Sequence, residues 1–205
     1  MGKVKAEYLR ADLYATIFHE MSEANADACR VALETGMRIG DVLALRSSDI
    51  HGNEVAFVAQ KTKKAAQITM KPETVRLLRK HTISGNPYCF PSTKVGAHRT
   101  RQAVWADMRK ACKLLGVRLH VSPHSCRKTY AVELFHKKGI EEVKNKLQHD
   151  NISTTLLYAF SDCNMHQPDE RTREIAREVA REVVNEVKWE IINEIRTLFG
   201  LAPRG

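Results

Sequence analysis

The chain has 205 residues, of which 43% are hydrophobic, and its formal net charge is +9. This length suits one large domain or two small ones, and the apolar content excludes a disordered polybasic tail. No apolar run approaches the roughly 18 residues of a membrane helix, and the N-terminus lacks the apolar region of a secretory signal. Five scattered cysteines without a CxxC pair predict reduced thiols in a cytoplasmic protein, without a zinc site or disulfide framework.

The apolar spacing and the helix start and stop signals predict a mainly α protein with a small antiparallel β-hairpin. The predicted strands cover residues 54–59 and 65–70, and a lysine-rich tip joins them. Pro72 and Ser122-Pro123 are strong helix starts. The predicted helices cover residues 6–34, 39–45, 72–81, 98–115, 123–138 and 140–147, with a last short helix that reaches Tyr158.

Positive charge is concentrated in one block of the chain. Residues 61–128 contain 16 Lys and Arg, against only Glu73 and Asp107 among the acidic residues. Such a block predicts a surface that binds a polyanion, although a solvated basic face is the alternative. With only 6% aromatic residues, a base-stacking platform for single strands is poorly supported.

The segment Thr-Gly-Met-Arg-Ile-Gly-Asp at residues 35–41 places Arg38 at the entry to a helix. Backbone N–H groups at a helix start and a guanidinium can face an anion together. Asp41 lies one turn further on and can fix the guanidinium of Arg38. A purely structural Arg–Asp pair is an equally good interpretation of this segment.

A second polar pattern begins after Ser122-Pro123. His124 and Arg127 are three residues apart, which puts both side chains on one face of the first helical turn. His149 follows the next helix, and Tyr158 comes nine residues later. Each feature alone has a simpler explanation: a surface helix, a core tyrosine, or solvent-exposed lysines at the hairpin tip.

Taken together and in this order, the motifs resemble the tyrosine recombinase (phage integrase) family over residues 6–165. The chain departs from the family at Gln148, where the family usually has glycine. The resemblance implies a mainly helical catalytic-domain fold and a DNA strand transferase that needs no metal or other cofactor. The catalytic set that it implies is Arg38, Lys61, His124, Arg127, His149 and the nucleophile Tyr158.

The resemblance also implies a role for each residue. Tyr158 attacks the scissile phosphate to give a 3′-phosphotyrosyl link, and Arg38 and Arg127 hold the phosphate oxygens. Lys61 protonates the leaving 5′-oxygen, with Lys63 as its rival because the loop length varies. His124 assists proton removal from the tyrosine, and His149 donates a further hydrogen bond. The residues expected to bind DNA in addition are Lys63, Lys64, Arg99, Arg101 and Lys128.

The expected organisation is a catalytic domain over residues 1–165 and a helical tail over 166–205. Six four-residue repeats at 173–196 carry Glu at the second place and Val or Ile at the third. A four-residue repeat drifts by about 40° per unit on a helix, so the apolar stripe winds around it. We expect the tail to meet both its own domain and a neighbouring subunit, although packing on its own body alone is the alternative.

The expected partners are a double-stranded recombination site and further copies of the chain, as a tetramer on DNA assembled through residues 169–199. No membrane partner is expected. Relatives usually carry an N-terminal core-binding domain, and this chain begins at the catalytic domain, so we expect a fragment of a longer integrase. The alternatives are a type IB topoisomerase-like enzyme, a non-catalytic DNA-binding module, and a protein-interaction module.

Overall fold

The computed structural model describes Leu9, residues 11–139, and Glu142, Val143 and Lys146. The chain divides into two compact units, Met1–Gly139 and Ile140–Gly205, so the three last-named residues represent the second unit. The predicted domain boundary at residue 165 and the tail lie outside the described residues. Within the described part, no helix combines the length and the apolar character needed to cross a bilayer.

The described residues of the first unit form six α-helices, one 3-10 turn at Ser47–Asp49 and three short strands. The helices are α1 Ala11–His19, α2 Glu23–Thr35, α3 Ile39–Ala44, α4 Pro72–Lys80, α5 Arg101–Leu114 and α6 Pro123–Lys138. The strands are β1 Ile50–His51, β2 Glu54–Val58 and β3 Ala65–Thr69. The predicted fold class, mainly α with a small antiparallel sheet, is confirmed.

Helix α2 is the central element of this unit and packs against α1, α3, α4 and α6. Its buried side chains are mostly small, and they include Ala26, Ala28, Cys29 and Ala32. Small side chains allow neighbouring helices to approach closely and still fill the core at native density. The C-terminal end of α2 is therefore held on several sides, and it leads directly into the Thr-Gly-Met-Arg segment.

The helical segment predicted over residues 6–34 is divided into α1 and α2 at residues 20–22. The start of α2 is capped from another helix, because Asp107 of α5 accepts hydrogen bonds from Ser22. Its Oδ2 lies 2.9 Å from the Ser22 backbone N and 2.7 Å from Ser22 Oγ. A carboxylate at a helix N-terminus satisfies free N–H groups and complements the helix dipole.

The sheet is antiparallel in the order β1-β2-β3, with Glu54 opposite Thr69 and Val58 opposite Ala65. The two strands of the predicted hairpin are found. Strand β1 was not predicted, because two residues are too few to show an alternation. The bend between β2 and β3 carries the lysine-rich tip. A hydrogen bond from Gln60 of this bend to Asp41 holds it next to α3.

Asp27 of α2 is a buried carboxylate that ties α2 to α4. Its side chain is 1% exposed and accepts hydrogen bonds from Arg30, from Lys80 Nζ at 3.1 Å and from His81 Nε2 at 2.8 Å. Burial acts to raise the pKa of Asp27, but the bonds from His81, Arg30 and Lys80 outweigh it and lower the pKa. The ionised carboxylate is thus the form that stabilises the fold.

We expect Asp27→Asn to lower the free energy of unfolding by about 1.5–3 kcal/mol at pH 7, as for hydrogen bonds to a charged group. Because folding lowers the pKa of Asp27, its stabilisation is complete above the unfolded value of about 3.9 and is lost as pH falls below it. Urea unfolding of both proteins between pH 7 and 3 measures this difference. The control is Glu73→Gln, whose exposed pair with Arg76 should contribute under about 1 kcal/mol.

Candidate active site

A cleft of about 480 Å³ lies where the starts of α3, α5 and α6 meet the hairpin tip. Every predicted catalytic residue of the described part lines this cleft. The lining residues are Arg38, Ile39, Gly40, Asp41, Gln60, Lys61, Arg101, Pro123, His124 and Arg127. The predicted His149 and Tyr158 lie outside the described residues. The structure therefore brings together residues that are as many as 89 positions apart in the chain.

The turn that precedes Arg38 is built by Thr35 and Gly36. The Thr35 hydroxyl donates to Val31 O at 2.6 Å and accepts from Met37 N at 3.2 Å. Gly36 closes α2 in the left-handed region, with φ of 71°, where residues with a Cβ are disfavoured. These contacts explain the Thr-Gly pair and place Arg38 immediately before α3 and at the cleft.

Arg127 is anchored to the same turn although it belongs to α6. Its side chain is buried, and Nη1 donates a hydrogen bond of 2.6 Å to Gly36 O. A charged donor to a buried carbonyl is a strong and directional contact. The bond joins the side chain of Arg127 to the backbone of the segment that carries Arg38, so the positions of Arg38 and Arg127 depend on one another.

Asp41 does not hold Arg38, contrary to the prediction from its one-turn spacing. It is buried, and its Oδ1 accepts a 2.9 Å hydrogen bond from the backbone N of Gln60 in the hairpin. The carboxylate pairs with a backbone N–H group that the hairpin brings to α3. Asp41 consequently fixes the residue that precedes Lys61 in the chain.

The hairpin tip distinguishes Lys61 from its rival. Lys61 lines the cleft, whereas Lys63 and Lys64 are not among the lining residues. Lys63 adopts a positive φ of 57°, and its N donates to Ala59 O at 2.8 Å. Ala59 N in turn donates to Lys64 O at 2.9 Å, which closes the bend. The backbone thus turns at Lys63, and Lys61 is the lysine of the tip that lies next to the other cationic groups of the cleft.

His124 is an exposed ring on the cleft wall, and its surroundings disfavour the charged form. The pKa of His124 is lowered to about 4, first because the packed wall displaces water from part of the ring. The positive charges of Arg127, Lys128, Arg38 and Lys61 lower it further. His124 is therefore neutral at pH 7 and keeps a nitrogen lone pair that can accept a proton.

We expect the ring signals of His124 in NMR spectra to stay unchanged from pH 8 to pH 5 and to titrate near pH 4. The Arg38→Ala variant should raise this midpoint, because one of the nearby positive charges is removed. Since the folded pKa lies below the unfolded value of about 6.5, this site weakens the fold as pH falls from about 6.5 towards 4. A midpoint near 6.5 in the unaltered protein would contradict the described electrostatics.

The predicted DNA-binding residues fall into different environments. Arg101 lines the cleft. Lys128 is half-buried, and its positive charge is close enough to lower the pKa of His124. Arg99 is half-buried, and its Nη1 donates to Asn25 Oδ1 at 3.1 Å. Asn25 also donates to Asp107 at 2.7 Å, so the Arg99 guanidinium belongs to the polar network at the start of α2. A contact of Arg99 with DNA stays a prediction.

Sequence reasoning missed two features of the cleft. The backbone of Gln60 is the partner of Asp41, and no local pattern indicates that contact. Gly40 lies directly beneath the side chain of Arg101: a Cβ on Gly40 would be 3.1 Å from Arg101 Cδ. A glycine inside a short helix, between an arginine and an aspartate, is a signal of such a close approach.

Comparisons with known proteins agree with the motif order. A family model described as "Phage integrase family" matches residues 7–165. A tyrosine recombinase of Thermosipho africanus is 24% identical over 159 residues, which cover 74% of this chain and 56% of the relative. A tyrosine recombinase XerD of Pseudomonas putida is 27% identical, with 68% of this chain and 51% of the relative covered. The chain thus spans about half the length of the curated relatives it matches.

Solved structures show the same fold. A crystal structure of XerA recombinase has a TM-score of 0.63 and 23% identity, and the match covers 87% of this chain and 65% of that one. A lambda integrase dimer bound to a COC' core site, residues 75–356, has a TM-score of 0.65 and 20% identity, with 77% and 60% covered. With the family match extending over most of the sequence, from residue 7 to residue 165, the chain belongs to the phage integrase family.

Proposed function

We propose that this chain is the catalytic part of a site-specific DNA recombinase, the integrase of a phage or other mobile element. It cuts and rejoins DNA through a 3′-phosphotyrosyl intermediate. The observation that carries this proposal is the cleft itself, which gathers Arg38, Lys61, His124 and Arg127 in a member of the phage integrase family. These groups suit the binding and protonation of a phosphodiester.

The proposed nucleophile is the hydroxyl of Tyr158. Its oxygen attacks the scissile phosphorus, the bond from phosphorus to the 5′-oxygen breaks, and a 3′-phosphotyrosyl link forms. The energy of the phosphodiester is kept in that link, so the free 5′-hydroxyl can reverse the reaction without ATP. A tyrosine with its usual pKa of about 10 is a poor nucleophile at neutral pH, so it depends on the groups around the phosphate.

The cleft residues supply that help in this proposal. Arg38 and Arg127 bind the non-bridging oxygens, where negative charge accumulates in the transition state, and His149 donates a further hydrogen bond. Lys61 gives a proton to the leaving 5′-oxygen. Neutral His124 takes the proton of the Tyr158 hydroxyl, and its low pKa in the free protein rises when the phosphate charge enters the cleft.

The proposed substrate is duplex DNA in the cytoplasm, where the protein associates with the nucleoid. The basic block at 61–128 supports this, with Lys63, Lys64, Arg99, Arg101 and Lys128 as predicted phosphate contacts. A similar solved structure is a lambda integrase tetramer bound to a Holliday junction. By analogy, we propose a tetramer on the recombination site, held together through residues 169–199.

Covalent trapping tests the proposed activity. The protein is incubated with nicked suicide duplexes from a library that includes the DNA flanking its gene, and the products are separated on a denaturing gel. We expect a DNA-linked protein band that disappears in Tyr158→Phe, and sequencing of the trapped DNA gives the site. A band that persists in Tyr158→Phe contradicts the assignment of the nucleophile.

Two further outcomes separate the rival functions. Relaxation of a supercoiled plasmid without any recombinant product favours a type IB topoisomerase. Salt-sensitive DNA binding with no covalent band from any duplex favours a non-catalytic binding module. The tail is tested by a chain that ends after Pro168: loss of cooperative assembly on DNA supports the proposed subunit contact, and unchanged mass and cooperativity contradict it.

A further inference from the structure

Arg101 is a third arginine of the cleft, and it reaches the cleft across the backbone of α3. A Cβ built on Gly40 would lie 3.1 Å from Arg101 Cδ and 3.8 Å from Arg101 Cγ. It would also lie 3.4 Å from Gln60 Oε1. The stem of Arg101 therefore occupies the space that any side chain at position 40 would take.

The start of α5 fixes the backbone from which Arg101 projects. Thr100 caps this helix, since its side chain accepts a 3.1 Å hydrogen bond from Ala103 N. The preceding residue is also held, because Arg99 N donates to Phe90 O at 2.9 Å. Arg101 is the first residue of α5, so its guanidinium is aimed from a rigid element rather than from a loose loop.

The described residues that line the cleft around Arg101 are mostly positively charged. Among the residues that the structure describes, no acidic side chain forms an ion pair with Arg101. Among the described lining residues, the only carboxylate is that of Asp41, which already accepts a hydrogen bond from Gln60 N. A cleft with three arginines, one lysine and one committed carboxylate suits a polyanion with more than one charged group.

We propose that Arg101 binds a DNA phosphate next to the scissile phosphate, and that Gly40 lacks a side chain in order to leave room for Arg101. This inference rests on the proposed function. The cleft volume of about 480 Å³ supports it, because that volume is in the range of about 300–1,000 Å³ typical of small-molecule sites. A cleft of that volume is larger than a single phosphate group.

The salt dependence of DNA binding tests the phosphate contact without any need for cleavage. The affinity for a 30-base-pair duplex is measured at several salt concentrations, in the Tyr158→Phe background. We expect Arg101→Ala to reduce the slope of log K against log salt by about 0.9, the value for one phosphate contact on B-DNA. The matched control is Arg76→Ala on α4, an exposed arginine away from the cleft, which should leave the slope unchanged.

An unchanged slope in Arg101→Ala overturns the inference, whether or not the protein cleaves DNA. Conversely, a reduced slope together with no Tyr158-dependent covalent band leaves the phosphate contact standing and contradicts the proposed activity. Once a site has been trapped, duplexes with a single neutral methylphosphonate on either side of the scissile phosphate locate the contact. When the contacted phosphate is neutral, Arg101→Ala and the unaltered protein should bind the duplex equally tightly. When that phosphate carries its charge, Arg101→Ala should bind about 10- to 100-fold more weakly than the unaltered protein.

The role of Gly40 is tested by a double-mutant cycle. Gly40→Ala requires Arg101 to move by a few tenths of an ångström, so it should weaken DNA binding in the unaltered chain. In the Arg101→Ala chain the space is empty, and Gly40→Ala should have no further effect on binding. Equal losses in both backgrounds overturn the proposed reason for the glycine, and thermal unfolding of each variant confirms that the fold is intact.

Discussion

Replacing Arg127 by alanine is expected to slow formation of the covalent DNA complex by about 10²- to 10³-fold, as for the loss of one preorganised donor to a transition-state oxyanion. The arginine is proposed to bind a non-bridging oxygen, and its position depends on the bond from Nη1 to Gly36 O. Single-turnover rates on the trapped duplex, at saturating protein, measure the loss. A rate within about threefold of the unaltered protein would place Arg127 outside the transition-state contacts.

The same substitution leaves Gly36 O without its donor inside the protein. An unsatisfied buried carbonyl typically lowers stability by about 1–3 kcal/mol, so part of the lost activity can reflect a loosened fold. Arg127→Lys separates the two effects, because an ammonium can still donate to Gly36 O but does not form the paired bonds of a guanidinium. We expect Arg127→Lys to unfold near the unaltered midpoint in urea and still to cleave slowly.

Lys61→Ala is expected to slow cleavage by about 10²- to 10⁴-fold, the range for loss of a general acid. A duplex with a sulfur in place of the 5′-bridging oxygen should restore most of the rate, because a thiolate leaves without being protonated. Rescue by this substrate identifies the missing function as proton donation, since a lysine that only binds phosphate would remain missing on both duplexes. The measurement is the single-turnover rate of each protein on each substrate.

Lys63→Ala is the matched control on the same hairpin. Lys63 is not among the residues that line the cleft, so at saturating protein its removal should leave the cleavage rate nearly unchanged and give no sulfur rescue. Because Lys63 has a φ of 57°, Lys63→Gly should stabilise the bend without altering the chemistry. If the sulfur duplex rescues Lys63→Ala and not Lys61→Ala, the general acid is Lys63.

The parts of the fold that could be predicted from the sequence are those with local causes. Pro72 and Pro123 stand at the first positions of α4 and α6, as their restricted φ requires. Strands β2 and β3 are short, mainly apolar segments on either side of a lysine-rich turn, which is a local signal for a hairpin. The division between α1 and α2 depends instead on Asp107, which is 85 positions away from Ser22 and leaves no signal near it.

The same distinction separates the predicted from the unpredicted parts of the site. Arg38, His124 and Arg127 belong to compact motifs, and the structure brings them to one cleft. The hydrogen-bond partner of Asp41 could not be predicted. Local spacing suggests Arg38, whereas in the tertiary fold the backbone N–H of Gln60 lies next to the carboxylate. Likewise, the sequence shows Arg99 only as one of many positive charges, and the structure is needed to see its hydrogen bond to Asn25.

The bond between Asp41 and Gln60 has a consequence for how the hairpin can change in length. Asp41 of α3 accepts a hydrogen bond from the main-chain N–H of residue 60. The contact therefore does not depend on the side chain at position 60, provided that this residue is not proline. Residues inserted after Lys61 would lengthen the tip beyond the bonded residue Gln60 and leave Lys61 in place. Chains of this architecture can therefore acquire longer tips, with new contacts to a groove or a partner, while the lysine at position 61 stays in the cleft with Arg38.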